Sequence, residues 1–243
     1  MKALYSLKKQ LAGFDFYRWL GTVKALGATE IVFDIEKPAL RKWDLETTMR
    51  RFHTICEPGP ALVDLPYSFG QTGIPMAAAT VIEFVQRMRD GLRPAILNCP
   101  LPVGTDRYTV TIRADARLPH RNSNEPAWRA FAAEIGARVI EDYSVEPRHI
   151  YELLAIYRGA EMNFGVPNGP MGLASHAACP VAIFGCGRPA MFEMLAKCAI
   201  TPTSPMPAVG PEEHMDWGED DLPTLRAWFA RWRAAKESGH RLG

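Results

Sequence analysis

The chain has 243 residues, of which 47% are hydrophobic and 23% charged, and its formal net charge is +1. This length fits one large α/β domain or two small ones, and the composition supports a sizeable core and excludes a disordered chain. So small a net charge excludes a global field that would draw the protein to nucleic acid or an anionic membrane, although basic residues recur at Arg113, Arg117 and Arg121.

The five cysteines, Cys56, Cys99, Cys179, Cys186 and Cys198, are odd in number and contain no C-x-x-C pair. They read as reduced thiols, not as a disulfide frame, and no Cys/His set has zinc-ligand spacing. The first apolar run is broken by Lys8, Lys9 and Gln10, so no signal peptide is expected there. No stretch reaches the ~18 apolar residues of a membrane helix. The expectation is a cytoplasmic protein with no transmembrane segment.

Residues 2–7 read as a short strand, followed by a polar loop. Asp15 falls at a helix N-cap position, and Phe16, Trp19, Leu20, Val23 and Leu26 recur at helical spacing up to Gly27. Residues 30–35 (EIVFDI) read as a buried strand, 45–56 as a helix and 61–65 (ALVDL) as a strand. Residues 66–74 form a loop, and Pro75 opens a long helix to about Arg89. Residues 94–98 are expected as a strand and 99–106 as a linker. The alternation then repeats. Strands are expected at 108–113, 138–141, 161–166 and 180–184, and helices at 125–135, 147–158, 168–178, 191–198 and 222–236. This order predicts an α/β fold with parallel sheets, divided into lobes of residues 1–100 and 106–243.

In such sheets ligands sit beyond the C-terminal strand ends, against helix N-termini. Loops 8–15, 114–124 and 166–170 each join a strand to a helix and are expected on one functional edge. In the last, Gly169 permits close backbone approach and Pro170 pre-sets a first helical turn. The amides of Met171 and Gly172 would then face an anion, and a diphosphate fits.

The segment VPNGPMGLASHAACPVAIFGCGR resembles the diphosphate-binding stretch of bacterial heptosyltransferases and their glycosyltransferase relatives. The likeness lies in Gly169-Pro170-Met171, Leu173-Ala174, Pro180-Val181, Phe184-Gly185 and Pro189. Asn168 stands where that family carries an acidic residue, and Gly172 where it often carries His. Residues 113–132 resemble the loop opening the family's C-terminal half, with Arg121, Trp128, Phe131 and Ala132 in matching places. The N-terminus is similar to the family's start, where a loop ends in an aspartate, here Asp15. The segment TIRAD also resembles the arginine-bearing stretch that holds GDP in α-1,6-type and O-fucosyltransferases.

The resemblance implies two Rossmann-like lobes of the GT-B kind and hexosyl or heptosyl transfer from a nucleotide diphosphate sugar to a glycan or other hydroxyl acceptor. It implies no cofactor and no metal. Asp15 is the expected general base. Arg113 and Arg121 are expected on phosphate oxygens, or paired structurally with Glu125 or Asp142. Asn122 and Asn124 are expected on sugar hydroxyls or in Asx turns, and Asn168, Gly169, Pro170, Met171 and Gly172 around the diphosphate. His120 and His176 are weaker proton acceptors. Trp217, Trp228 and Trp232 are expected to pack the last helix, with one available to stack on a base or sugar. Asp220 and Asp221 read as a solvated acidic run. Two alternatives stay open: a nucleotide-sugar epimerase, for which Glu141 and Asp142 are poor acids, and a non-catalytic nucleotide-sugar-binding protein.

Overall fold

The computed structural model describes residues 1–40, 43–75, 81–116, 118–141 and 149–239. Arg117, Asp142, residues 76–80 of the expected long helix and residues 147–148 of the helix expected at 147–158 lie outside this set.

The chain opens with strand β1 (Lys2–Ser6), helix α1 (Asp15–Ala25), strand β2 (Glu30–Asp34), helix α2 (Leu45–Arg51) and strand β3 (Tyr67–Phe69). These strands form a parallel sheet in the order β1-β2-β3. Two expectations fail here. The run ALVDL, expected as a strand, is a 3-10 turn over Gly59–Val63, because Pro58 and Pro60 fix helical φ and leave no ladder donors. Residues 94–98 pair with no strand among the described residues. They stitch elements together instead: Ala95 N–H donates to Gly21 O, Leu97 N–H to His176 O and Asn98 N–H to Leu62 O. β3 was not expected at all.

Helix α3 (Val81–Arg89) leads to the second sheet. Its elements are β4 (Tyr108–Ile112), α4 (Glu125–Ile135), β5 (Arg138–Glu141), α5 (Ile150–Gly159), β6 (Met162–Gly165), α6 (Gly169–His176), β7 (Val181–Ile183), α7 (Pro189–Lys197), β8 (Glu213–Met215) and α8 (Leu222–Glu237). The five strands are parallel throughout, in the order β5-β4-β6-β7-β8. Counted from β4, this is the 2-1-3-4-5 order of a doubly wound, Rossmann-like sheet, whose direction of winding reverses between β4 and β6.

Side-chain alternation explains the layers. Tyr108, Val110 and Ile112 of β4 join Trp128 and Phe131 of α4 and Leu225, Trp228 and Trp232 of α8 in one cluster. The rings of Trp228 and Trp232 stack there, 6.2 Å apart, so both serve packing. The intervening Thr109 and Thr111 face the other side and are fully buried. Thr111 shares a 2.7 Å hydrogen bond with Tyr157 of α5, and Thr109 donates to Asn163 of β6 at 2.6 Å. Asn163 donates to the carbonyls of Tyr157 and Pro180. A fully satisfied buried network of this kind fixes one register.

The halves meet through α1 and α6. One apolar cluster takes in Tyr5, Phe16 and Leu20 from the first sheet's side and Leu153, Met171 and Leu173 from the second's. Helix α3, which lies within the expected first lobe, packs on the C-terminal half. Phe84 meets His176 edge-on, Phe84 and Met88 cover Met206 and Val209, and Val85 joins Met191, Leu195 and Ile200.

Candidate functional site

The reversal point of the second sheet lies between the ends of β4 and β6, and the two loops singled out in the sequence leave from there. Arg113 directly follows β4 and is only 6% exposed. The chain returns past it: Ser123 N–H donates to Arg113 O, and Arg113 N–H to Ser123 Oγ at 2.9 Å. Asn122 closes the loop from both ends of its amide, accepting from Asp115 N–H at 2.8 Å and donating to Asp115 O at 3.2 Å. Of the two roles open to Asn122, these bonds show the local turn. Arg113 Nη2 lies 3.2 Å from the buried carboxylate of Asp115; of the two acids expected as structural partners, Glu125 pairs with Arg129 and Asp142 lies outside the described residues. Arg121 stands on a short 3-10 turn, Pro119–Arg121, above this loop, with His120 exposed beside it.

The loop after β6 departs from expectation in one respect. Asn168 caps α6 with its own side chain, Oδ1 accepting from Met171 N–H at 2.9 Å, and Gly172 N–H bonds to Asn168 O. Because Pro170 has no N–H, the amides expected to face an anion are consumed inside the helix. Gly169 is committed to packing as well. A Cβ there would come within 2.6 Å of the Phe14 ring, which fixes the contact between the first half and the start of α6. Pro170 and Met171 are buried. What this loop still offers is Asn168 Nδ2, a buried donor with no hydrogen-bond partner among the described residues.

Asp15 is the first residue of α1, not its cap; Phe14 holds that position without a side-chain cap. Its carboxylate is 82% exposed and 3.2 Å from Arg18. It stands one residue from the Phe14–Gly169 contact. Asn124 precedes α4 and caps nothing with its side chain; its N–H donates to Asp220.

Asp220 is a correction. Expected in solvent, it is 3% exposed. Its Oδ2 accepts from Trp128 Nε1 and Asn124 N–H, both at 2.8 Å, and Oδ1 lies 3.5 Å from Arg188 Nη1. Asp221 does cap α8, through Thr224 N–H. Arg188, which the sequence reading passed over, also donates to Asn122 O at 2.6 Å. It thereby ties the loop after β7 to the loop after β4, across the end of β6.

No family model, curated protein or solved structure matches this chain. The chemistry must be argued from the site itself.

The remaining candidates divide clearly. Glu141 is exposed and paired with Arg129. His176 is buried, and burial pushes its pKa down to about 3, so it is a neutral core residue. Trp217 packs edge-on against Phe192. Among the described residues no group of three or more His, Cys, Asp or Glu side chains is placed to hold a metal, and no helix is long and apolar enough to cross a membrane. A cleft of about 730 Å3 opens along edge strand β8, walled by Pro205, Met206, Glu213, His214, Trp228 and Arg231. It includes Trp217 and Trp228, two of the tryptophans open to stacking, but none of the residues expected around the diphosphate and not Asp15. Its Glu213 carboxylate is already engaged by the Ser175 hydroxyl and Val209 N–H, so we place the candidate site at the β4–β6 edge and not here.

Proposed function

We propose that the edge above β4 and β6 binds the diphosphate of a nucleotide sugar, and that the protein transfers the sugar to a hydroxyl of a glycan or similar acceptor. The observation that carries this reading is the pairing of β4 with β6 at the sheet's reversal point: Arg113 and Arg121 lie in the chain that leaves β4, and the unmet Asn168 Nδ2 donor lies in the loop that leaves β6. Reversal points are where doubly wound sheets hold their ligands. Guanidinium groups and amide donors are complementary to phosphate, and arginines can neutralise a departing diphosphate. In this reading Asp15, next to the seam between the halves, receives the proton of the acceptor hydroxyl. That hydroxyl oxygen bonds to the anomeric carbon, while the carbon–phosphate oxygen bond breaks and its electron pair leaves with the diphosphate.

A screen of UDP, GDP, ADP and CMP compounds by thermal shift tests the binding step. At a hundredfold excess over Kd a ligand adds about 2.7 kcal/mol, roughly 5–10 °C for a chain of this size. If none of them raises the melting temperature, the reading is wrong. A donor-hydrolysis assay tests the chemistry: Asp15→Ala should keep binding and lose turnover. One observation favours the non-catalytic alternative. The Asp15 carboxylate is held at the surface by Arg18 instead of in a cleft, and binding with no turnover on any acceptor would select that alternative.

A further inference from the structure

We propose that Arg188 is a phosphate-binding residue of this edge, held in position by the buried carboxylate of Asp220; the proposal rests on the nucleotide-sugar reading above. The guanidinium is fixed on one side only. Nε donates to Gly185 O at 3.3 Å, and Nη1 donates to Asn122 O at 2.6 Å and lies 3.5 Å from Asp220 Oδ1. Asp220 is itself immobilised by Trp128 Nε1 and Asn124 N–H. Nη2 is buried and has no hydrogen-bond partner among the described residues.

Neutralising Asp220 requires one positive charge, which a lysine supplies. It does not require a forked group with a second nitrogen left over. A charged donor without an acceptor is costly to bury, and such groups mark places where a ligand completes the bonding. Asn168 Nδ2 has the same shortage, and it follows β6, the strand that pairs with β7. Adjacent strands lie about 4.8 Å apart, so two unmet donors rise from neighbouring strand ends.

The sign of the shortage selects the ligand. Both unmet groups are donors, and a sugar hydroxyl would bring a further donor with each acceptor. A phosphate brings acceptors alone, together with the negative charge that Arg188 answers. Cationic side chains also flank β6 on both sides: Arg113 ends β4 and Arg188 follows β7, and both strands pair with β6. Arg188 reaches across the end of β6 to Asn122 O, in the loop that folds back on Arg113.

The experiment measures Kd by calorimetry for UDP, GDP, the matching nucleoside monophosphates and inorganic pyrophosphate. It compares the full chain with Arg188→Lys, Arg188→Gln and the exposed control Arg231→Gln. Arg188→Lys keeps a charge opposite Asp220, so its ligand-free melting temperature should stay within a few degrees of the parent. Its affinity for the preferred diphosphate should still fall about tenfold, and that of Arg188→Gln 10- to 100-fold, the range for hydrogen bonds to charged groups. Monophosphates should lose less, and Arg231→Gln nothing. Diphosphate binding that is equal in the parent and in Arg188→Lys overturns the role of Arg188 and leaves the nucleotide reading standing. Pyrophosphate binding that depends on Arg188, with no preference for any nucleotide, supports the role and overturns the nucleotide reading. A parent chain that binds none of these compounds overturns both.

Discussion

Acidification offers a direct reading of the core around His176. The side chain is 5% exposed, lies edge-on to Phe84 at 5.3 Å, and its Nδ1 has no hydrogen-bond partner among the described residues. Burial is the main cause that lowers its pKa from 6.5 to about 3, and the Arg18 charge adds to it. The unfolded chain therefore binds a proton that the folded chain refuses. The stability held above pH 6.5 is lost as the pH falls toward 3. At 1.36 kcal/mol per pH unit, the loss from this residue is about 2 kcal/mol at pH 5 and nears 5 kcal/mol at pH 3. His214, whose pKa burial also lowers, acts in the same direction, so the parent alone cannot isolate the effect. The informative quantity is the difference between the parent and His176→Leu, a substitution close in size that removes the proton site. Urea unfolding at pH 7.5, 6 and 5 should show that difference shifting toward the variant by about 2 kcal/mol between pH 7.5 and 5. A difference that stays constant over this range would refute the claim that His176 is folded as a neutral imidazole.

Other substitutions probe packing and buried charge. Asp220→Ala leaves Trp128 Nε1 and Asn124 N–H without their acceptor and Arg188 without its opposite charge, and should cost about 3–5 kcal/mol by denaturant unfolding, against about 1 kcal/mol for the cap residue in Asp221→Ala. Gly169→Ala should lose about 1–3 kcal/mol from overpacking on Phe14. The double variant with Phe14→Leu should recover part of that loss, read as a coupling energy in a double-mutant cycle. Asn163→Ala removes three hydrogen bonds, two of them fully buried, and should lower stability by roughly 3 kcal/mol or more on the same assay.

The parts legible in the sequence are those written in local punctuation. The Asn168-Gly169-Pro170 run marks a strand-to-helix turn from residue types alone, and α6 begins there. The repeated strand-then-helix alternation from residue 108 onward likewise gave a parallel sheet. Strands β3 and β8 escaped notice because each is three residues long, too short for alternation to show. The run ALVDL misled because a short apolar stretch fits a strand or a buried turn equally, and only the flanking prolines decide. At the candidate site, residue types single out Arg113 and Asn168 but not Arg188, since nothing near residue 188 reveals its contact with Asn122 in the loop after β4. Asp220 was misjudged for a related reason. Its neighbours in sequence are acidic and polar, whereas its burial depends on Trp128 and Asn124, more than ninety positions away. Asn168 is a residue type that caps helices, and a side chain that satisfies the helix start competes with any anion for the same amides.

The location of α3 bears on how the chain is made. During synthesis this helix emerges with the N-terminal sheet, but the surface that receives Phe84, Val85 and Met88 is built from Met191, Leu195, Met206 and Val209. Until those residues leave the ribosome, more than a hundred positions later, its greasy stripe has nothing to rest on. The N-terminal half can therefore reach its final state only after the C-terminal half has been translated, and nascent chains stalled between residues 100 and 190 should be ready clients for holding chaperones.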